Sequence, residues 1–417
     1  MTYTDQIALQ LLESVILQQD IDPKGTPALP FDGTALTAEE WAQVFGRLRE
    51  HKVLPLFSDV LSRIPGIPAD IAATWKKEIY AHTYHAIQLQ QAQGRLLGQF
   101  AEAGIPVVVL KGTAAARYYA SPKYRTMGDI DLLTVPEEYD RACAFFAEHG
   151  WEETTGDWDQ KRGRHRSFQK GDVEAEMHRF FATQKDAEKA ACMDRLLYGQ
   201  IRPGCPDLPL TENGLVILGH ISQHMRNGIG LRQIIDWRMF VNRCLDDDAW
   251  ERQFRSAAKD SGLDQLAVNV TQMCRKYLGL RTDITWCAAA DEGACDELMQ
   301  YVMDCGNFGS AQGVSESKAA AGVPSIWHPI KLFGYLQSHG ENNWEALKKH
   351  KWLKPFAWLY QICHYIVMLI QLKATPGKLR DSVRVQKAKD DLLHRLGVPN
   401  VVPDEEEDVP GEPPDQD

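Results

Sequence analysis

Two aspartates separated by one residue, Asp129 and Asp131, lie where the chain is expected to form a strand. Side chains at positions i and i+2 of a strand project from one face, roughly 6.5 Å apart along it. Two carboxylates on a face flanked by apolar Ile130, Leu132 and Leu133 repel each other and lose hydration unless a cation offsets their charge. The pair is therefore interpreted as a ligand set for divalent cations, which prefer oxygen ligands, with a solvated strand edge as the alternative.

Other polar residues are spaced to serve the same site. Lys111, Gly112 and Thr113 lie between the end of an expected strand and the start of a short helix. A glycine at this point lets backbone N–H groups approach a phosphate, and the helix start favours negative charge. Arg125, four residues before Asp129, is expected to meet a triphosphate.

A third carboxylate is expected from a later strand, residues 172–180. Glu174, Glu176 and His178 alternate on one face of it. A third acidic ligand beside the two aspartates would complete a two-metal site. The spacing alone does not choose between Glu174 and Glu176.

The order of these motifs resembles that of a known superfamily. A strand, Lys-Gly-Thr and a helix are followed by Arg-x-x-Gly-Asp-Ile-Asp-Leu-Leu and then by Glu-x-His on a later strand. This order resembles the DNA-polymerase-β nucleotidyltransferase superfamily and, more narrowly, a bacterial family of uncharacterised nucleotidyltransferases. The segments 51–56, 220–236 and 347–358 extend the resemblance over most of residues 5–360.

The resemblance implies a role for each motif. Asp129, Asp131 and Glu176 would be the catalytic residues and the ligands of two Mg²⁺ (or Mn²⁺) ions, because the family's Glu-x-His pattern selects Glu176. The family's Gly-Ser turn contacts the triphosphate of the incoming nucleotide, and here Gly112-Thr113 stands in its place and keeps a hydroxyl. The implied reaction moves an NMP, such as AMP, from an NTP to a hydroxyl or similar acceptor on a small molecule, peptide or protein.

Two interpretations from other classes stay open. The fold could serve as a non-catalytic nucleotide-binding regulatory module, or as a scaffold whose helices and acidic tail bind partners. A complete set of three carboxylates argues against a decayed catalytic site. The binding of Mg²⁺ with nucleotide would separate the enzyme and the regulatory module from the scaffold.

Residues after the core are expected to form the other wall of the cleft. His220, Arg232 and Asp236 are candidates for contacts to the acceptor or to the base of the nucleotide. His220 and His224 are spaced as on one face of a helix, but the sequence indicates no third zinc ligand and no HExxH glutamate. The basic run 162–166 is interpreted as a solvated strand or loop, with a nucleotide or acceptor contact as the alternative.

The sequence also predicts the elements that position these residues. Thr37 and Glu40 form a capping box at a helix start, and a long helix over 69–103 should end at Gly104. Shorter helices are expected over 4–18, 37–49, 53–63, 113–120 and 136–149, and strands over 106–110, 129–135, 164–170 and 172–180. The helical pattern resumes near 186 and continues to about 396, with loops near 203–211 and 306–325.

These elements indicate an α+β fold, in which a small mixed sheet is embedded between helical regions. The predicted divisions are an N-terminal helical region 1–103, a nucleotidyltransferase-like core 104–185, a C-terminal helical domain 186–397 and a disordered acidic tail 398–417. The tail has eight acidic side chains, five prolines and no basic ones, too few apolar groups to offset the entropy of ordering.

Composition excludes several classes of protein. The 417 residues are 44% hydrophobic and 25% charged, as in ordinary globular proteins, and the net charge of −11 disfavours non-specific nucleic-acid binding. The nine cysteines include no Cys-x-x-Cys pair and the start lacks a signal-peptide pattern, so a cytoplasmic protein with reduced thiols is expected. The apolar stretch 358–372 is interpreted as a buried or groove-lining helix, with an interfacial helix as the lesser alternative.

Overall fold

The computed structural model describes residues 1–21, 29–156, 163–183, 186–225, 228–306, 333–334, 336–338, 340–341, 344, 346–371 and 376–398. The described residues belong to two compact units. The first unit lies within Met1–Phe308 and His394–Asp417, and the second unit lies within Gly309–Leu393. Helices surround one small mixed sheet in the first unit, which confirms the predicted α+β class.

The helices are numbered in chain order. They are α1 (Tyr3–Ile21), α2 (Ala38–Glu50), α3 (Ala69–Glu102), α4 (Gly112–Ala116), α5 (Tyr139–Glu148), α6 (Ala187–Tyr198), α7 (Leu210–His224), α8 (Leu231–Cys244), α9 (Asp247–Ala249), α10 (Arg255–Asp260), α11 (Asp264–Tyr277), α12 (Glu292–Cys305), α13 (Ala346–Lys349), α14 (Ala357–Gln371) and α15 (Pro376–Arg395). Short 3-10 helices cover Leu54–Phe57, Leu61–Arg63, Pro122–Tyr124, Pro136–Glu138 and Lys351–Phe356, and a π-helix covers Trp250–Phe254.

The sheet has five strands in the order β1-β2-β5-β4-β3. These are β1 (Val108–Val109), β2 (Ile130–Leu133), β3 (Glu152–Glu153), β4 (His165–Lys170) and β5 (Val173–His178). Strands β2 and β5 are parallel, and the other neighbours are antiparallel. The parallel pair brings the ends of two distant segments side by side.

One face of the sheet packs on the core, and the other face is left for polar groups. Ile130 and Leu132 of β2 and Ala175 and Met177 of β5 are buried in a cluster with side chains of α3 and α5, such as Phe100. Because side chains alternate along a strand, Asp131, Glu176 and His178 project from the opposite face. Burial of the apolar residues therefore fixes which way the acidic residues point.

The predicted helix signals are largely confirmed. Thr37 and Glu40 form both bonds of the capping box, and Gly104 has a φ of +64° directly after the last turn of α3. The prediction of a helix over 53–63 is wrong, because the chain instead forms the two short 3-10 helices Leu54–Phe57 and Leu61–Arg63. Pro55 supplies no N–H, and the i→i+3 bond from Ser58 N–H to its carbonyl measures 3.1 Å.

The predicted strands are present but shorter than expected. β1 covers only Val108–Val109. The Val109 N–H donates to Pro206 O at 2.8 Å, and beyond the strand the Leu110 N–H still donates to Asp131 O of β2 at 3.0 Å. Residue 162, most of the loop 306–325 and residues 399–417 of the acidic tail lie outside the described residues. The division into four segments stays a prediction. Within the described part of the chain, every helix is too short or too polar to cross a bilayer.

Candidate active site

Three carboxylates converge where β2 and β5 lie side by side. The parallel register pairs Asp131 with Glu176, and Asp129 lies one residue before β2. One oxygen of each carboxylate lies within 4.8 Å of the others. Glu174 is exposed and pairs with Gln169 of β4, so the register places Glu176 beside the aspartates.

Two histidines border this cluster. Nε2 of His178 lies 3.0 Å from Oδ1 of Asp131 and 3.2 Å from Oε2 of Glu176, and Nε2 of His165 lies 3.6 Å from Oε1 of Glu176. The antiparallel register pairs His165 with His178, which brings both rings to the same edge. Glu176 therefore belongs to two sets of metal-ligating groups, one with the aspartates and one with the histidines.

The protonation of the two aspartates differs because their neighbours differ. Asp131 accepts a hydrogen bond from Lys111 Nζ at 2.7 Å. Burial alone would raise the pKa of Asp131, but Lys111 and His178 hold it well below its usual value. The negative charge of Asp131, together with burial, raises the pKa of Asp129 to about 7. Burial acts against ionisation of Glu176 too, yet the hydrogen bond from His178 lowers its pKa.

The turn at the start of α4 is built around a glycine. Gly112 has a φ of +45°, a conformation that other residues rarely adopt, and it lines the cavity beside the carboxylates together with Lys111. The Thr113 hydroxyl is hydrogen-bonded to the side-chain amide of Gln93 at 2.6 Å. The threonine that replaces the family's serine thus turns its hydroxyl towards α3.

Arg125 lies at the cavity, but its guanidinium already has a strong partner. Nε and one terminal nitrogen donate to the two carboxylate oxygens of Asp236 at 2.8 and 2.7 Å, and the side chain is 4% exposed. Asp236 also accepts the Tyr119 hydroxyl at 2.7 Å. The ion pair holds both side chains in place, and the predicted contacts of Arg125 with a triphosphate and of Asp236 with a substrate stay predictions.

The carboxylates open into a cavity of about 280 Å³. Its walls are formed by the sheet edge, the end of α7 and the start of α8. Positively charged side chains line it together with the acidic cluster. The lining residues are Lys111, Gly112, Arg125, Met127, Gly128, Asp129, Asp131, Arg164, His165, Glu176, His178, His220, Gln223, His224 and Arg232. Such a mixture of carboxylates and cations suits a metal–polyphosphate ligand.

The helical wall supplies neutral imidazoles and a partly buried guanidinium. Burial lowers the pKa of His220 well below its usual value and that of His224 to about 3. Burial and the nearby Arg125 lower the pKa of Arg232 to about 10, so it stays charged at neutral pH. Arg232 donates to Thr126 O at 3.2 Å and, with the histidines, faces the cavity.

Not every residue at the cavity was found from the sequence. Arg164 was one member of a basic run, and its guanidinium bonds Gln223 Oε1 at 3.0 Å. Gln223 was missed, although it lies three residues after His220 on the same face of α7. Arg166 of the same run is paired with Glu153 away from the cavity.

One comparison with known proteins identifies a family. A family model described as uncharacterised nucleotidyltransferase matches residues 37–279, which is more than half of the chain and includes the whole sheet and both helices of the cavity wall. No curated protein and no solved structure matches the chain.

Proposed function

The chain belongs to the uncharacterised nucleotidyltransferase family, and we propose that it transfers an NMP from an NTP to a hydroxyl or similar acceptor with the help of two divalent cations. The observation that carries the proposal is that Asp129, Asp131 and Glu176 converge on a cavity that lysine and arginine side chains also line. Their carboxylate oxygens lie within 4.8 Å of one another.

The acidic cluster fits Mg²⁺ or Mn²⁺ on charge and on ligand chemistry. Asp131 raises the pKa of Asp129 to about 7, which means that two negative charges here are unfavourable without a cation. Three carboxylates offer the hard oxygen ligands that these ions prefer. When bound, the two ions would activate the acceptor hydroxyl and stabilise the charge on the pyrophosphate leaving group. Glu176, in the parallel register with Asp131, would be the third ligand.

The triphosphate is assigned to the side of the cavity that carries positive charge. The Lys111 ammonium is half-buried and 2.7 Å from Asp131, close enough to bridge the carboxylates and a phosphate. Backbone N–H groups at Gly112 and Thr113 begin a helix, and the first N–H groups of a helix have no partner inside it. The Arg232 guanidinium would add a partly buried positive charge, while Arg125 would act through Asp236 to hold this wall in place.

The acceptor is assigned to the wall formed by α7. His220, His224 and Gln223 face the carboxylates across the cavity. Because burial keeps both imidazoles neutral at pH 7, they would contact the acceptor as neutral hydrogen-bonding groups and not as cations or as bases. The volume of the cavity, about 280 Å³, suits the nucleotide phosphates together with the reactive end of the acceptor.

The test is transfer of label from nucleotides. The purified chain is incubated with each NTP labelled at the α-phosphate, with Mg²⁺ and a cell lysate, and labelled products are identified. Transfer that requires Mg²⁺, releases pyrophosphate and disappears in Asp129→Asn supports the proposal. Asp172→Asn, which changes a carboxylate at the turn before β5, is the matched control. Nucleotide binding without labelled product or pyrophosphate would reject transfer.

A further inference from the structure

An exposed row of apolar side chains runs along the second unit. It begins in the 3-10 helix Lys351–Phe356 and continues through α14 at spacings of three or four residues. Trp352 is 71% exposed and Val367 52%. Leu359, Cys363 and Val367 lie four residues apart and therefore occupy one face of the α-helix α14, and the exposed Trp352 and Phe356 precede them in the 3-10 helix. We call this row the apolar stripe; it comprises Trp352, Phe356, Leu359, Cys363 and Val367.

The opposite face of α14 is already buried. Ala357 and Gln361 are 0% and 1% exposed, and the backbone of Ala357 lies directly against Gly340. The apolar stripe is therefore not the side by which α14 packs in its own unit. A contiguous apolar surface of this kind in water costs free energy and marks a contact with a partner.

The charge around the apolar stripe indicates the partner. Residues 346–380 include seven Lys and Arg residues and no Asp or Glu, in a chain whose net charge is −11. Lys351 and Lys354 flank Trp352 and are exposed, and Lys354 Nζ lies 3.0 Å from Glu341. A strongly basic segment in an acidic chain is complementary to a surface that carries many negative charges.

We infer that the apolar stripe binds the surface of an anionic phospholipid bilayer. Trp352 and Phe356 suit the boundary between headgroups and acyl chains, and the lysines suit the lipid phosphates. At about 2.0 Å per residue in the 3-10 helix and 1.5 Å in α14, the stripe is about 25 Å long, and an apolar face bordered by lysines suits a helix that lies along the membrane surface. A nucleic acid would match the lysines, but it offers Leu359 and Val367 no apolar phase to enter.

The first test measures binding of the full-length chain to vesicles by flotation, without nucleotide. Vesicles that contain phosphatidylglycerol should bind the protein, and pure phosphatidylcholine vesicles should bind it roughly tenfold less. Both Trp352→Ser with Leu359→Ser and Lys351→Glu with Lys354→Glu should weaken binding by roughly tenfold. Tyr80→Ser with Tyr84→Ser, which changes two aromatic residues of α3 that are 62% and 65% exposed, is the matched control and should bind as the wild type does.

The second test uses the two exposed thiols of the described residues. Cys363 lies in the apolar stripe, and Cys205 lies in the first unit. Anionic vesicles should slow maleimide labelling of Cys363 and leave Cys205 unchanged, as measured by mass spectrometry. Equal labelling of Cys363 with and without vesicles, or no flotation of the wild type, would overturn the inference. A concentration-dependent dimer that Trp352→Ser dissociates would instead assign the apolar stripe to a second copy of the chain.

Discussion

Arg125 and Asp236 form a buried, two-point ion pair between residues 111 positions apart. Arg125 lies in the segment that leads into β2 and its aspartates, and Asp236 lies in α8, which also carries Arg232. The hydroxyl of Tyr119 donates a further hydrogen bond to Asp236. The pair thus ties the acidic edge of the sheet to the helical wall of the cavity, alongside the hydrogen bond from Arg232 to Thr126 O.

Removing one partner of this pair should cost more than removing both. Asp236→Leu leaves Arg125 charged and buried without its carboxylate, which should lower the free energy of unfolding by about 3–5 kcal/mol. The double variant Arg125→Met with Asp236→Leu leaves no unpaired charge. Its loss in the free energy of unfolding should be clearly smaller than the summed losses of the two single variants. Urea unfolding of the four proteins measures this coupling. Additive losses would show that the pair contributes no coupling energy.

Features that depend on neighbouring residues could be predicted from the sequence, and features that depend on tertiary packing could not. The capping box of Thr37 and Glu40 and the left-handed Gly104 depend on neighbouring residues, and both were predicted. The closeness of Asp129 and Asp131 also follows from strand geometry. The partner of Arg125 could not be predicted, because it depends on how α8 packs, and no local pattern encodes that contact.

The choice of the third carboxylate illustrates the same limit. The alternation of β5 places Glu174 and Glu176 on one face, but only the parallel register with β2 brings one of them beside Asp131. Pairing between strands more than 40 residues apart is a tertiary property. The orientation of the Thr113 hydroxyl towards Gln93 of α3 was missed for the same reason.

Neutralising Asp129 should stabilise the protein without metal. Because the charge of Asp131 raises the pKa of Asp129 to about 7, its ionised form destabilises the fold at pH 8. Asp129→Asn should raise the free energy of unfolding by about 1–3 kcal/mol in EDTA. Each unit of pKa shift corresponds to ~1.4 kcal/mol, and solvent reduces the effect because the residue is only half-buried. Mg²⁺ should then raise the melting temperature of the wild type and leave that of Asp129→Asn unchanged. A less stable variant in EDTA would contradict the prediction.

Glu176 and Glu174 should respond very differently to the same substitution. Glu176 lies opposite Asp131, and Glu174 is exposed beside Gln169. Glu176→Gln should reduce Mg²⁺-dependent transfer by roughly a hundredfold or more, whereas Glu174→Gln should change it by less than about threefold. Calorimetric titration with Mg²⁺ and a non-hydrolysable NTP analogue gives a second measure. A larger effect at Glu174 would mean that the ligand register is displaced by two residues.

His51 forms a buried contact on which stability should depend at acidic pH. Its ring is 0% exposed, and Nδ1 accepts the Leu231 N–H at 3.2 Å at the start of α8. Burial, reinforced by the positive charge of Arg47 and opposed by Asp5, lowers the pKa of His51 to about 4. The folded protein therefore holds His51 neutral, with Nδ1 available as an acceptor.

This shift predicts a loss of stability between pH 6.5 and pH 4. In that range the unfolded chain takes up a proton on His51 and the folded chain does not, so falling pH favours unfolding. The lowered pKa corresponds to about 3 kcal/mol lost across the range at ~1.4 kcal/mol per unit. His51→Gln keeps an acceptor for the Leu231 N–H but does not titrate. The histidines of α7 and the carboxylates affect both proteins alike, so the difference between the two urea-unfolding curves isolates His51. Wild type and His51→Gln should therefore converge as pH falls, if the variant is less stable at pH 8, and parallel pH profiles would show that His51 is protonated equally in the folded and unfolded chains.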